Sequence, residues 1–262
     1  MSNVITIARS VWLEMVRRKD VYIVLALQGF FTFLLTLVNA FGSNVPSSYI
    51  MDIGLMLAFL LSVVLSITMG ARQIPNEIRS GTIFSILTKP VSRFEFLFGK
   101  WLGLTAGMVI ANLLFYLLVT GITCSRGYVF DPAVLAQVFA LHSVLLGLIV
   151  AICLFFTLFL SQAAGGTASG ILVLVCYLFV PRIPNLLTYE SGWRAQAMMA
   201  IYYVAPHLEL FDMRVRVLHG WGLLEPLVFA GTIGYGLLLT AFFLVVTWLL
   251  FTKKYFTRGA AL

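Results

Sequence analysis

The apolar positions of this chain fall into six runs, at residues 21–41, 51–71, 101–123, 134–160, 165–180 and 227–251, separated by polar punctuation. Most hold roughly twenty residues or more, which at about 1.5 Å of rise per residue cover a hydrocarbon core about 30 Å thick. The pattern predicts an all-α membrane protein with six transmembrane helices in one domain, residues 1–262. Ahead of the first run, residues 1–20 set Val4, Ala8, Val11, Trp12 and Met15 on one side of a helix, with Thr6, Arg9, Glu14, Arg17 and Arg18 largely on the other. That is an amphipathic helix lying in the interface, with Trp12 and Arg17-Arg18-Lys19 at head-group depth. An uncleaved signal anchor is the plain alternative. A cleaved signal peptide fits less well, because the region before the apolar run is long and amphipathic, although Val38-Asn39-Ala40 is a small-residue site.

Between the second and third runs lies the polar stretch 72–100, too polar to cross a bilayer. Pro75 and Pro90 bracket Asn76 to Lys89, where a cap-type Asn76 precedes Ile78, Ile83, Phe84, Ile86 and Leu87 at roughly helical spacing. The spacing predicts a short amphipathic helix beside the membrane. Ser92 followed three residues later by Glu95 is a capping box, so a second helix starts there and runs into the third apolar run. Gly99, Gly103 and Gly107 then recur on one face of that helix, small residues that let another helix come close.

Further along, Asp52 sits at the boundary end of the second run, within reach of water, and His142 reads as a hydrogen-bonded packing residue. The small, uncharged segment Ser161 to Gly170 suits a tight, mobile turn leading into a short fifth span. Thr167-Ala-Ser-Gly170 falls short of the Gly-x-Ser-Gly form of an intramembrane serine protease, and no His lies in the span that follows. Residues 181–226 mix Arg182, Glu190, Arg194, Glu209, Asp212, Arg214 and Arg216 with Trp193, Met198, Met199, Tyr202 and Tyr203. Such a mixture lies in an interface rather than across it.

Composition narrows the class. At 61% hydrophobic and 10% charged, the chain has more apolar side chain than a soluble core of this size could bury. The net charge of +7 points to anionic lipid rather than nucleic acid, because the basic residues flank apolar runs instead of lining one face. Arg9, Arg17, Arg18 and Lys19, then Arg72, Arg79, Lys89, Arg93 and Lys100, then Lys253, Lys254 and Arg258 all fall on one side of a six-span layout, which makes both termini cytoplasmic. Three cysteines without C-x-x-C spacing indicate neither a disulfide framework nor a zinc site. No catalytic or cofactor-binding constellation occurs, and no G-x-x-x-x-G-K-[ST] is present to hold ATP. Charged residues are nearly absent from the spans, which disfavours a proton-driven carrier or an intramembrane enzyme. The polar exceptions Asn39, Asn112, Thr120 and Gln162 read as hydrogen-bonding between helices.

Glu77-Ile-Arg-Ser-Gly-Thr82, Lys89-Pro-Val-Ser-Arg93 and Glu95-Phe-Leu-Phe-Gly-Lys100 resemble the second cytoplasmic segment of ABC-2 type transporter permeases, and most closely the subgroup associated with multicopper-enzyme maturation. Pro206-His-Leu-Glu-Leu-Phe-Asp212 resembles the same subgroup. The resemblance implies a type V exporter-like layout: an N-terminal elbow helix, six spans, a cytoplasmic coupling helix in 72–100, and short extracytoplasmic re-entrant or interfacial helices before the last span. It implies two copies of a separate nucleotide-binding subunit holding ATP and Mg, a second permease copy or a paralogue, and a bacterial inner-membrane location. It also implies that Arg72, Glu77, Arg79 and Lys89 make polar contacts to that subunit around Ser80, Gly81 and Thr82, with Ile83, Phe84 and Ile86 as apolar anchors. The function it implies is export, or extraction from the bilayer, of an unidentified substrate. The alternative is a scaffold that relays ATP-driven motion to an extracytoplasmic partner through 181–226. Copper handling by Met198, Met199, Met213, His207 and His219 is disfavoured, since none of them has the spacing of a defined site.

Overall fold

A computed structural model describes residues 2–38, 47–81, 92–189 and 192–253. The described chain is helical throughout, with α1 (Ser2–Arg17), α2 (Lys19–Val38), α3 (Ser47–Ser80), α4 (Arg93–Ser125), α5 (Pro132–Thr157) and α6 (Gln162–Leu178). A 3-10 turn at Val180–Arg182 leads to the short α7 (Ile183–Leu186); α8 (Trp193–Val204), a 3-10 turn at Leu208–Phe211, α9 (Arg214–His219) and α10 (Pro226–Lys253) follow.

Among the described residues five helices, not six, are long and apolar enough to cross a membrane: Ser48–Ser80, Arg93–Ser125, Pro132–Thr157, Gln162–Leu186 and Pro226–Lys253. The first predicted span is where the sequence reading fails. Among the described residues the apolar helix within α2 is Val21–Leu34, about 21 Å against a core of about 30 Å. Its inward row is polar: Gln28, Thr32 and Thr36 are buried, and the Gln28 amide donates to the Gly54 carbonyl of α3 at 3.1 Å. With five spans, the inference that both termini share a side loses its footing.

The bracketed helix beginning at Asn76 is a second correction. α3 runs through Pro75 to Ser80 without a break. Proline removes one main-chain donor, but buried Ile74 and Gln73 before it and partly buried Ile78 after it hold the helix against its neighbours. Gly81, with φ of +73°, ends the helix in the left-handed conformation that favours glycine, its N–H donating to the Ile78 carbonyl at 3.2 Å. Nor is the small-residue segment 161–170 a turn. Ser161 caps α6, and its small side chains let the first turns of that helix lie against Ala71 and Thr157.

α5 is the central helix, buried along most of its length, and α3, α4, α6 and α10 pack round it. α6 and α10 turn much of their apolar surface outward, as helices bathed in lipid do. The most extensive pairing among the described helices is α1 on α4. Ala8, Val11 and Met15 of α1 are buried there, while Ile5, Leu13 and Val16 stay exposed. Gly99, Gly103 and Gly107 form the floor of this contact, so the row of small residues receives α1 and not another span.

A Cβ on Gly103 would stand 2.6 Å from the Ala8 carbonyl oxygen and 2.9 Å from the Ala8 Cα, both main chain; on Gly107 it would meet the flexible end of Met15 at 2.5 Å. Gly103→Ala is therefore expected to lift α1 off α4 at a cost of about 1–3 kcal/mol, and Gly107→Ala to cost less. Thermal melts in detergent, with limited proteolysis of the first twenty residues, check the order. Equal losses would show that α1 can shift along α4.

Candidate functional site

The end of the bundle where α3 stops and α4 starts gathers most of the residues singled out from sequence. Ser92 opens α4 with both halves of a capping box: the Glu95 N–H donates to Ser92 Oγ at 3.1 Å, and the Ser92 N–H donates to the Glu95 carboxylate at 2.9 Å. The first two turns of α4 then grip three other helices. Arg93 donates to the carbonyls of Phe251 at 2.6 Å and Thr252 at 2.8 Å, in the last turn of α10. Phe96 stacks on Phe251, with ring centroids 6.0 Å apart, in a small core that Leu158 completes and that Ile7, Ile78 and Leu250 flank. Gly99 receives Ile7 of α1.

Lys100 reaches the other way, to α3. Its ammonium donates to Glu77 at 2.6 Å and to Gln73 at 3.1 Å, with the Lys100 side chain 5% exposed and that of Glu77 18%. A cation so far from water persists only where a carboxylate and further acceptors surround it. Sequence reading assigned Glu77 to an outside partner and gave Lys100 no role; the fold joins the two to each other.

Two clefts flank this joint. One, of about 470 Å³, is lined by Glu14, Gln73, Asn76, Glu77, Arg79 and Ser80. The other, of about 530 Å³, lies between α3 and the start of α6, with Arg72 and Arg79 on one wall and Ser161, Gln162 and Thr167 on the other. Arg79 and Ser80 are exposed and Arg72 is half-buried. Thr82, Ile83, Phe84 and Lys89 lie outside the described residues. Of the residues chosen for the interface helix, Arg9 and Arg17 are exposed and Trp12 is half-buried beside Gly107. Arg18 turns back to Glu14 at 2.6 Å.

The opposite end is closed by the segment after α6. Asp212 and Arg214 form a two-point ion pair, 2.6 and 2.7 Å. Tyr177 donates its hydroxyl proton to the same carboxylate, and the guanidinium lies 4.6 Å from the centre of the Phe59 ring. Burial pushes the Asp212 carboxyl upward, but the bonds and charge of Arg214 together with the Tyr177 hydroxyl outweigh it and hold the group below its ordinary value. Arg214 is held above its own ordinary value by the same pair, against the effect of burial. Beneath this pair, His142 is bonded on both ring nitrogens, to Ser62 at 2.9 Å and to Tyr116 at 3.2 Å. Thr120 bonds to carbonyls of its own helix, while the fully buried Asn112 amide has no hydrogen-bond partner among the described residues. His207 pairs with Glu209 at 2.9 Å and His219 stacks on Trp221; among the described residues no group of three or more His, Cys, Asp or Glu could hold a metal.

Sequence inspection could have found the Asp212-x-Arg214 pair from its two-residue spacing. Nothing local signals Lys100 with Glu77, or Arg93 with the end of α10, because both partnerships depend on which helices lie side by side.

These features define an all-α, multi-pass membrane protein whose helix ends are cross-braced at one end and capped by short helices at the other. The chain belongs to the ABC-2 family of transporter proteins, whose family model matches residues 4–255. Members of that family are membrane transport subunits without catalysis of their own, and typically pair with nucleotide-binding ABC subunits. The match is to the family and adds nothing to the likeness to a multicopper-maturation subgroup. A search of the curated proteins returned no match.

Glu77→Leu would strand the Lys100 ammonium with only Gln73 beside it, at an expected cost of about 3–5 kcal/mol. Lys100→Met leaves the more exposed member and should cost less, and the double variant less than the two single costs summed. Thermal denaturation of the four chains checks this; additive losses would mean that the two charges do not depend on each other.

Proposed function

We propose that this chain is the permease subunit of an ABC transporter, coupling ATP hydrolysis by two copies of a separate nucleotide-binding subunit to export or membrane extraction of a substrate. The observation that carries the reading is the cross-braced joint at the α3–α4 end, where exposed Arg79 and Ser80 sit on a helix that buried Lys100 ties to α4. A motor seated there can move two helices at once. No P-loop occurs within these 262 residues, which supports a motor carried by a separate subunit. Arg79, with Arg72 at the adjoining cleft, supplies the polar contact; Ile83, Phe84 and Lys89 of the connecting segment supply the rest.

The same end carries Arg9, Arg17, Arg18, Lys19, Arg72, Arg79, Arg93, Lys100 and Lys253, whereas Arg126, Arg182, Arg194, Arg214 and Arg216 lie towards the other. That asymmetry supports a cytoplasmic α3–α4 end in a bacterial inner membrane, and it needs no count of spans. A second permease copy or paralogue would complete the pathway. A second reading is a mechanical relay to an extracytoplasmic protein, favoured by α8, which buries none of its side chains.

The test is capture of a co-expressed nucleotide-binding ABC subunit by the full chain in detergent. Arg79→Glu combined with Phe84→Ala is expected to weaken capture, and stimulation of ATP hydrolysis, by about tenfold or more, the effect of reversing one charge and removing one anchor. Glu77 is left intact so that the internal ion pair is not disturbed. Unchanged capture and stimulation by this variant would remove the assignment.

A further inference from the structure

We infer that Arg93 is a positioning residue that carries displacement of the α3–α4 connection into α10, making the last span, and not only its neighbours α3 and α4, an output of the motor. The inference rests on the functional reading above and adds a path to it. Ser92 caps α4 and Arg93 is its first residue, so a pull or push along the chain from the connecting segment enters the helix there. The capping box gives α4 a firm start at that point: a helix whose first donors are satisfied by its own side chains moves as a rod instead of unwinding. One side chain then joins this rod to a helix 158 residues further on. The Arg93 guanidinium donates to two main-chain carbonyls in the final turn of α10, at 2.6 and 2.8 Å, and lies 5.7 Å from the centre of the Phe251 ring.

The chemistry of this contact makes it a grip. A carbonyl oxygen has two lone pairs, so a guanidinium can bond to it beside any bond the helix itself makes, and such charge-assisted bonds are stronger than neutral ones. Two bonds from one planar group fix direction as well as distance, which a single ammonium does not. Phe251 is fully buried and stacks on Phe96 one turn further along α4. Trp248, one turn back on α10, meets Phe94 edge to face, with centroids 5.8 Å apart. The ring contacts keep the two helices side by side, and Arg93 prevents them from sliding.

What makes α10 worth moving is its position. Outside this joint it packs chiefly on α5, the central helix, and much of its surface faces outward. Near its start it holds the segment that closes the far end: the Tyr235 hydroxyl accepts from the His207 N–H at 3.0 Å, and its ring stacks on Phe211. A displacement introduced at Phe251 is thus conducted along one rigid helix to the cover of the opposite end.

The test uses the full chain bound to its nucleotide-binding subunit in lipid nanodiscs, with Cys124, the exposed cysteine, replaced by Ser. Spin labels are placed at Leu238→Cys on α10 and Ile171→Cys on α6 in one sample, and at Leu117→Cys on α4 and Ile171→Cys in the other; all three positions are exposed. Distances are measured with and without Mg-ATP. In the parent chain both pairs are expected to respond. With Arg93→Gln the α10 response should fall by about twofold or more while the α4 response is kept, the size of effect that loss of one link in a packed coupling path produces. Arg93→Lys, which keeps the charge but not the two-point grip, should fall between them, and it serves alone if Arg93→Gln does not fold. An α10 response that survives either substitution in full overturns the role of Arg93 and leaves the functional reading standing. A parent chain in which neither pair responds to ATP removes that reading and the inference with it.

Discussion

Lys100 is a cation with almost no access to water, and the α3–α4 end of the bundle is arranged round the two side chains that accept its hydrogen bonds. In a membrane protein such a charge cannot be left to solvent, so Glu77 and Gln73 on α3 must sit beside it whatever else the structure does. That requirement sets the register of α3 against α4, and with it the position of everything attached to them. Once Lys100 faces α3, the first turn of α4 is placed so that Arg93 reaches α10 and Gly99 receives α1. Three helices are thereby fastened within two turns of a fourth.

The two ends of the molecule use polar groups differently. At the α3–α4 end, buried charge joins helices to one another across long separations in the chain. At the far end, Asp212 and Arg214 neutralise each other two residues apart, and the pair as a unit leans on Tyr177 and Phe59. A locally neutral pair can be withdrawn from its neighbours without exposing an unpaired charge. A pair split between helices cannot. The geometry therefore gives a joint braced across helices at one end and a locally neutralised pair at the other.

α1 shows how an interface helix can also be a structural one. Its amphipathic pattern was read as a face for lipid, yet Ala8, Val11 and Met15 are buried on protein, over the glycines of α4, while Ile5, Leu13 and Val16 keep an apolar margin outside. Hydrophobic periodicity reports that a face is apolar. It does not say what will cover it, since lipid and a neighbouring helix are equally free of water.

Some features need only a few consecutive residues, and those were legible in the chain. Ser92 and Glu95 announced the start of α4 because a capping box is closed within one turn, and the apolar runs of α3 to α6 and α10 announced helices of membrane length because length and polarity are local quantities. Other features were misread for equally physical reasons. Pro75 looked like a boundary, but flanking burial carries the helix through it; the glycines and alanines after Ser161 looked like a turn, but close neighbours make them a helix start. The first apolar run promised a sixth span; among the described residues its apolar helix is only Val21–Leu34, and its inward row is the polar Gln28, Thr32 and Thr36. The sequence by itself settled what each stretch is made of and, at Ser92, where a helix begins; which helices touch, and hence that Lys100 answers Glu77 and Arg93 answers the end of α10, was decided only by packing, because partners 23 and 158 residues apart leave no mark on the residues between them.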